Sequence, residues 1–320
     1  MNPARAGFFN QDMAVSKSNK TVIIIAGPTA VGKTAAAISL AKEWGTEIIS
    51  ADSRQCYKEL SIGVARPSPE QLKEVPHHFI ASHSIHEELN ADVFEKYALE
   101  KTNEIHQQHD AVVMVGGTGL YIKAFTDGLD IIPAIDPEIR KNINKQYLKN
   151  GITWLQQQVK EHDPVFYASG ETQNPQRLMR ALEVVQGTGH SILSFRIGEK
   201  ANRPFDIIKI GLEIPKEDLH QNIYHRTDEM IKNGLVEEVK KLQAFKDLNA
   251  LKTVGYTEIF KFLDNEISLA EAANQIKINT RQYAKRQLTW FKKDKAFIWF
   301  SPADINSILE HINLKRIVKN

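Results

Sequence analysis

The chain has 320 residues, 42% of them hydrophobic and 25% charged, a make-up that suits a globular protein with one large core and an appended unit. Its net charge of +2 exerts no global pull on polyanions, so a nucleic-acid partner would have to be met by a local patch. The one cysteine, Cys56, excludes an internal disulfide and a cysteine-rich zinc module, and no apolar run approaches the ~20 residues of a membrane span.

Residues 1–20 lack the roughly 7–15-residue apolar core of a signal peptide and read as a disordered lead-in to a cytoplasmic protein, with Met13 a second candidate start beside Met1. Thr21–Leu40 carries the strongest local signal. A β-branched run, Val22 to Ile25, predicts one buried strand. Gly27-Pro28-Thr29-Ala30-Val31-Gly32-Lys33-Thr34 follows and matches G-x-x-x-x-G-K-[ST], and an alanine-rich helical segment comes next. The glycines let successive N–H groups converge on phosphate oxygens, and the helix presents its unpaired N–H groups to the same anion. Lys33 adds a charge at the distal phosphate and the Thr34 hydroxyl can hold Mg²⁺. By motif this is a phosphate or diphosphate site of the nucleotide-binding, ATP-binding type.

Glu47–Ser50 reads as a second strand, and Asp52-Ser53-Arg54-Gln55 leaves its carboxyl end, where ligands sit in parallel α/β sheets. Asp52 is a candidate general base or metal-shell ligand; a plain turn or capping role is the alternative. Gly63–Pro76 looks like loop. His77, His78, His83 and His86 crowd together without the regular spacing and further ligands of a zinc site, so they read as solvated or hydrogen-bonding histidines. Asp92–Gln107 has an amphipathic helical pattern, and Ala111–Val115 predicts a third strand ending in Gly116-Gly117-Thr118-Gly119. A nucleotide-hydrolysing P-loop enzyme carries a Walker-B acid after such a strand; glycines stand here instead.

From Ile131 the texture changes. Asp136-Pro137, Asp163-Pro164 and Asn174-Pro175 each open a helical pattern, and Pro175–Gln186 ends at Gly187, with Arg177 and Arg180 on one side. Residues 130–202 are therefore expected to form an inserted helical domain. Phe205–Ile214 restores a strand, and Asp218–Lys232 and Val236–Phe245 look helical around Gly234. In Ser268–Lys293, opened by a Ser268/Glu271 capping box, six basic residues (Lys277, Arg281, Lys285, Arg286, Lys292, Lys293) follow with no acid from Ala272 on, interleaved with Tyr283, Trp290 and Phe291. Such a patch on a nearly neutral chain points to a polyanion. Lys295–Phe300 predicts a last strand, and the tail after it carries no pattern. The whole is α/β: a P-loop NTPase-like parallel-sheet core (residues 21–129 and 203–320, with C-terminal helices) interrupted by an all-helical domain.

These segments in this order resemble the tRNA dimethylallyltransferase (isopentenyl-tRNA transferase) family of the bacterial type. The likeness is carried by GPTAVGKT at 27–34, DSRQCY at 52–57, SIGVARP at 61–67, GGTGLY at 116–121 and DPEIR at 136–140. It continues through NPQRLMRALEV at 174–184, the region of Arg226, VGYTEIF at 254–260 and TRQYAKRQLTWF at 280–291. The resemblance implies transfer of the dimethylallyl group from dimethylallyl diphosphate to N6 of the tRNA adenosine 3′ of the anticodon (position 37). It implies that the P-loop holds the donor's diphosphate with Mg²⁺ rather than ATP, and that Asp52 is the base. It also places Thr118 and Arg226 near the reacting groups, with Asp52, Ser53, Arg54, Gln55 and Thr118 towards the adenosine. Arg140, Gln176, Arg177 and Arg180 match tRNA-contacting positions, and the patch residues Arg281, Lys285 and Arg286 are expected to join them. The partners implied are tRNA, through its anticodon stem-loop, and the prenyl donor; a monomer is expected. Thr172-Gln173-Asn174-Pro175 stands where many relatives read His-Pro-Asn-Asp, so no role of that His or second acid carries over, and with a single cysteine the C-terminal zinc finger of eukaryotic relatives is not expected. The rival readings are a P-loop kinase acting on a small molecule or nucleotide, and a non-catalytic RNA-binding P-loop protein. Both leave part of the chain idle: the first the basic helix and helical insertion, the second Asp52 at a strand end.

Overall fold

β1 (Thr21–Ala26) is buried along its whole length, as its β-branched run requires, and lies inside a six-stranded sheet of order β3-β2-β4-β1-β5-β6 in which every pairing is parallel. This computed structural model describes residues 20–318, so the lead-in expected for residues 1–20, apart from Lys20, lies outside the described residues. After β1 come α1 (Lys33–Glu43), β2 (Ile48–Ser50), α2 (Pro69–Glu74), β3 (His77–His78), α3 (Ala91–His106), β4 (Ala111–Gly116) and α4 (Gly119–Asp127). A helical stretch follows: α5 (Pro137–His162, interrupted at Gly151), α6 (Pro164–Ala168) and α7 (Pro175–Thr188). The sheet resumes with β5 (Asp206–Leu212), followed by α8 (Lys216–Lys232), α9 (Leu235–Lys241), α10 (Tyr256–Leu263), α11 (Leu269–Lys292), β6 (Ile298–Phe300) and α12 (Ile305–Val318).

Alternation along β1 divides the core. Val22 and Ile24 face a layer with Phe94, Phe125, Tyr256 and Ile276, whereas Ile23 and Ile25 face Ala37, Leu40, Ile223 and Ile308. Each such side chain, fully buried, contributes about 1.5–3 kcal/mol relative to exposure. Two parts of this frame differ from expectation. The supposed loop 63–76 contains α2, because the Ser68 hydroxyl accepts a hydrogen bond from the Gln71 amide while Gln71 Oε1 accepts one from the Ser68 amide, and Pro69 is preset for the first helical position. The tail also forms a helix: Ile308 and Ile312 are fully buried against the α1 side of the sheet, a pairing whose periodicity is too short to read in isolation. Ser268 caps α11, but Glu271 bonds Gln275 rather than completing a capping box. Among the described residues no helix is long and apolar enough to cross a membrane.

The chain divides into two compact units, Asp127–Asn202 and the remainder. All three Asx-Pro pairs start helices: Asp136, Asp163 and Asn174 accept hydrogen bonds from backbone amides two or three residues on, with proline next in line. Leu155, Val159, Phe166, Leu178 and Leu182 form this unit's own core. α7 runs past the expected stop. Gly187 is inside it, leaving room for the Ile135 side chain, and the left-handed Gly189 (φ +73°) ends it.

Asp163 is 2% exposed; one oxygen accepts from the Phe166 amide and the other from the Ser191 hydroxyl, both at 2.9 Å. Asp163→Ala is expected to destabilise the helical unit by about 1–3 kcal/mol by leaving these donors unpaired. Hydrogen exchange should then quicken within 127–202 and stay unchanged in β1 and β4.

Candidate active site

Gly27 has φ +154° and a Cβ there would lie 2.6 Å from the Leu212 carbonyl oxygen, so β1 and β5 can run side by side to the start of the loop only with glycine. Ala30 (φ +65°) and Gly32 (φ +99°) then turn the chain through the left-handed region, which shapes a cradle of amides ahead of α1. The loop is held from outside. The Thr29 amide donates to Gln287 Oε1 at 2.8 Å, Asn222 Nδ2 donates to the Ala30 carbonyl at 3.1 Å, and Arg226 Nη1 donates to Thr29 Oγ1 at 3.1 Å. Lys33 Nζ folds back onto the Pro28 carbonyl at 2.7 Å.

Asp52 leaves the end of β2 beside this loop. Its Oδ1 accepts from the amides of Arg54 (2.9 Å) and Gln55 (3.3 Å), which fixes the carboxylate; Oδ2 has no hydrogen-bond partner among the described residues. One oxygen thus builds the turn, the role given above as the alternative, and the other remains open. Thr118 Oγ1 accepts from the Ser53 amide at 3.0 Å, tying the β2 and β4 ends together. Gln55 Nε2 donates to the Val64 and Ala65 carbonyls. The 61–67 segment is anchored further by Glu238, which accepts from the amides of Ser61, Ile62 and Gly63 and from the Tyr256 hydroxyl at 2.6–3.1 Å. No sequence signal singled out Asn222, Glu238 or Gln287. Gln287 lay inside a recognised motif, yet its two partners are distant in the chain.

The electrostatics centre on three groups. Enclosure pulls the Lys33 ammonium down to about 7; Asp52 opposes that shift and Arg226 adds to it. Burial also lowers Arg226, again opposed by Asp52. Two cations and one carboxylate leave an excess of positive potential, the condition for an anion site.

Two cavities meet here. The smaller, about 260 Å³, is lined by Gly32, Lys33, Thr34, Ser50 and Gln55; the larger, about 530 Å³, by Ser53, Arg54, Gly63, Gly255, Asn279 and Arg286. Thr29, Asp52, Arg226 and Tyr283 belong to the walls of both. The small cavity offers hydroxyl, amide and carboxylate oxygens, a donor set that suits Mg²⁺ completed by phosphate oxygens and water.

The remaining candidates sort by element. Arg286 lines the larger cavity, whereas Arg281 and Lys285 lie on another side of α11, along a groove with Lys216 and His220 of α8. Arg281 donates to the Tyr224 hydroxyl, and Lys277 pairs with Asp228. Within the helical unit, Arg140 and Arg180 converge on Glu183, Arg140 also reaches Gln176, and Arg177 pairs with Glu171. The four histidines diverge. His77 bonds the Val75 carbonyl, His78 bonds Glu47, His83 bonds Ser82 and His86 packs on Phe245, and among the described residues no group could hold a metal by His, Cys, Asp and Glu.

Residues 55–294 match the model of the IPP transferase family. The chain is 45% identical over 297 residues to a tRNA dimethylallyltransferase of Cytophaga hutchinsonii, covering 93% of this chain and 98% of that one. It is 48% identical over 296 residues to one of Christiangramia forsetii, covering 92% and 98%. Among solved structures, a full-length tRNA isopentenylpyrophosphate transferase from Bacillus halodurans superposes with a TM-score of 0.70 at 33% identity, covering 94% of this chain and 98% of that one. A eukaryotic dimethylallyltransferase captured acting on tRNA shares the fold, with a TM-score of 0.71 at 24% identity, covering 90% and 75%.

Burial brings the Lys33 ammonium down to about 7, so a bound polyphosphate is expected to draw a proton back onto it above that pH. Affinity for inorganic diphosphate is expected to fall by up to about tenfold per pH unit above 7, relative to Lys33→Met, with proton uptake at pH 8. Calorimetry in buffers of different ionisation heat measures both; the same pH dependence in Lys33→Met would remove Lys33 from the anion site.

Proposed function

The chain belongs to the IPP transferase family, and from that premise we propose that it transfers the dimethylallyl group of dimethylallyl diphosphate to N6 of adenosine 37 in tRNA, releasing diphosphate. The observation that carries this reading is the pair of cavities sharing the Asp52–Arg226 wall: a small, cationic one suited to diphosphate and a larger one suited to a nucleobase. A reaction between two substrates needs such an arrangement, since holding both reactants in line supplies much of the rate enhancement.

The chemistry asks for little else. The exocyclic amine of adenine is a weak nucleophile, and the allylic carbon becomes electrophilic as the diphosphate oxygen departs. The new N6–C1 bond forms as the C1–O bond breaks, and the bonding pair leaves with diphosphate. Lys33, Arg226 and the amides of residues 29–34 stabilise that charge in an enclosed site. Thr34 would hold Mg²⁺ against the diphosphate oxygens, where the ion supplies further neutralisation. Asp52 Oδ2 accepts the N6 proton, its direction set by the two amides on Oδ1. Ser53, held by Thr118, shapes the wall on which the base is presented, Gln55 borders the diphosphate side, and Tyr283 offers the base a ring face. Such a base must leave the anticodon-loop stack to enter the cavity. Arg286 serves the flipped strand, while Arg281, Lys285 and the Glu183-aligned Arg140 and Arg180, with Gln176 and Arg177, serve phosphates of the stem-loop. A monomer in the cytoplasm completes the reading.

The deciding experiment offers the protein labelled dimethylallyl diphosphate or γ-labelled ATP, each with unmodified bacterial tRNA and Mg²⁺. Label from the prenyl donor in tRNA, with ATP untouched, is expected; ATP consumption without prenyl transfer would return the loop to a kinase role. Asp52→Asn is expected to lower kcat by about 10²–10⁴ and leave tRNA affinity within about twofold. A parallel loss of binding would contradict the base role.

A further inference from the structure

One face of α11 continues beyond the cavity wall it builds. Tyr283, Arg286, Gln287 and Trp290 stand at spacings of three, four and seven, so they share that face. Gln287 is used up in holding the phosphate loop and the Gly117 carbonyl. The other three side chains are not accounted for by packing. Tyr283 is 36% exposed, and the Arg286 guanidinium lies over its ring at 5.8 Å with no carboxylate partner among the described residues. Trp290 is 38% exposed, its indole N–H makes no hydrogen bond among the described residues, and the pyrrole edge rests on Gly119 so closely that a Cβ there would collide with it. Gly119 follows Thr118, which bonds Ser53 at the cavity wall, and Leu120 next to it is 49% exposed. An indole placed for core packing is usually covered and its N–H paired. This one is displayed on the surface against Gly119, two turns of α11 beyond Tyr283 in the cavity wall.

We propose that Trp290 is a second nucleobase platform: it stacks the base adjacent to the one that enters the cavity, and Arg286 holds the phosphate between them. The proposal rests on the tRNA reading above and names how the strand is held on either side of the reacting nucleotide. Spacing supports it. Seven residues of helix separate Tyr283 from Trp290 by about 10.5 Å along the axis. Stacked neighbours in a nucleic-acid strand lie only about 3.4 Å apart. One strand can therefore use both rings only if its two bases are splayed, the state that flipping one of them imposes. A cation between two aromatic rings matches the base–phosphate–base order of such a strand, and because every base has a π-face the platform need not select sequence.

The test is a cycle of protein and RNA changes. Anticodon stem-loops carry either the intact base or an abasic nucleotide immediately 5′ or immediately 3′ of the target adenosine; they are titrated against the parent, Trp290→Leu and Trp290→Phe. On intact RNA, Trp290→Leu is expected to weaken binding about tenfold to a hundredfold and Trp290→Phe less than about fivefold. At one of the two positions the abasic RNA should bind the parent as weakly as intact RNA binds Trp290→Leu, and on that RNA the Leu change should add less than about twofold. The KM for dimethylallyl diphosphate should stay the same throughout. Equal weakening of intact and abasic RNAs, or no weakening at all, overturns the proposal, since a merely structural Trp290 cannot sense which base is missing. If the Leu variant does not fold, the parent decides: it should lose about tenfold or more on one of the two abasic RNAs, a preference Trp290→Phe should keep, and a parent that binds intact and both abasic RNAs equally overturns the proposal. Failure of the parent to prenylate the intact stem-loop would instead overturn the enzymatic reading, which separates the two.

Discussion

The side-chain amide of Gln287 sets the geometry of the site. Its Oε1 takes the Thr29 amide and its Nε2 gives to the Gly117 carbonyl, joining two loops that leave different strands to a helix 258 and 170 residues further on. The residue is 6% exposed, so neither bond competes with water and losing either would strand a buried polar group. Glycine at 117 is part of the same device, because a Cβ there would occupy the place of the amide nitrogen. Asn222 and Arg226 add a second brace from α8. The phosphate loop is thus positioned by the C-terminal part of the chain as much as by its own glycines, so an anion arriving there meets amides already aimed.

Charge is arranged around that frame with similar economy. Lys33, Arg226 and Asp52 occupy one wall; at Lys33 the pull of the carboxylate outweighs the push of Arg226, and burial is what lowers both cations. Burial costs both cations their hydration, and an anion bound between them would make up part of that loss. Asp52 adds a further constraint. A carboxylate that bonded the cations with both oxygens would make a poor base; here amides of its own turn occupy one oxygen and leave the other open. Restricting the turn duty to Oδ1 leaves Oδ2 open to a proton, as the proposed base role requires.

α11 shows how one amphipathic element serves several surfaces. Its buried positions, Ile276, Ala284 and Phe291, pack into the core on both sides of the sheet's end. Asn279, Tyr283 and Arg286 line the larger cavity, while Arg281 and Lys285 look to the groove with α8. The six-residue basic patch is therefore not one surface. Lys277 and Arg281 already have partners, and Arg286 stands apart from them in the wall of the larger cavity.

What could be read from the sequence was whatever local physics determines. β-branched runs specify buried strands, Asx-Pro pairs specify helix starts, and the glycine-lysine loop specifies a phosphate site, because in each case the interacting groups lie within a few residues of one another. Hence the α/β class, the helical stretch with its three caps and the position of Asp52 at a strand end were legible without coordinates. The misses have the same cause in reverse. α2 depends on a reciprocal Ser68–Gln71 cap hidden among prolines, and the weakly patterned α12 is held by burial of Ile308 and Ile312 against a sheet built by distant segments. Only the tertiary structure could bring Gln287 to Thr29, Glu238 to the amides of residues 61–63, and Arg226 to the wall that Asp52 shares between two cavities. Those contacts join residues more than a hundred positions apart, and nothing within a local window of sequence encodes which distant partner a side chain will meet once the core has closed.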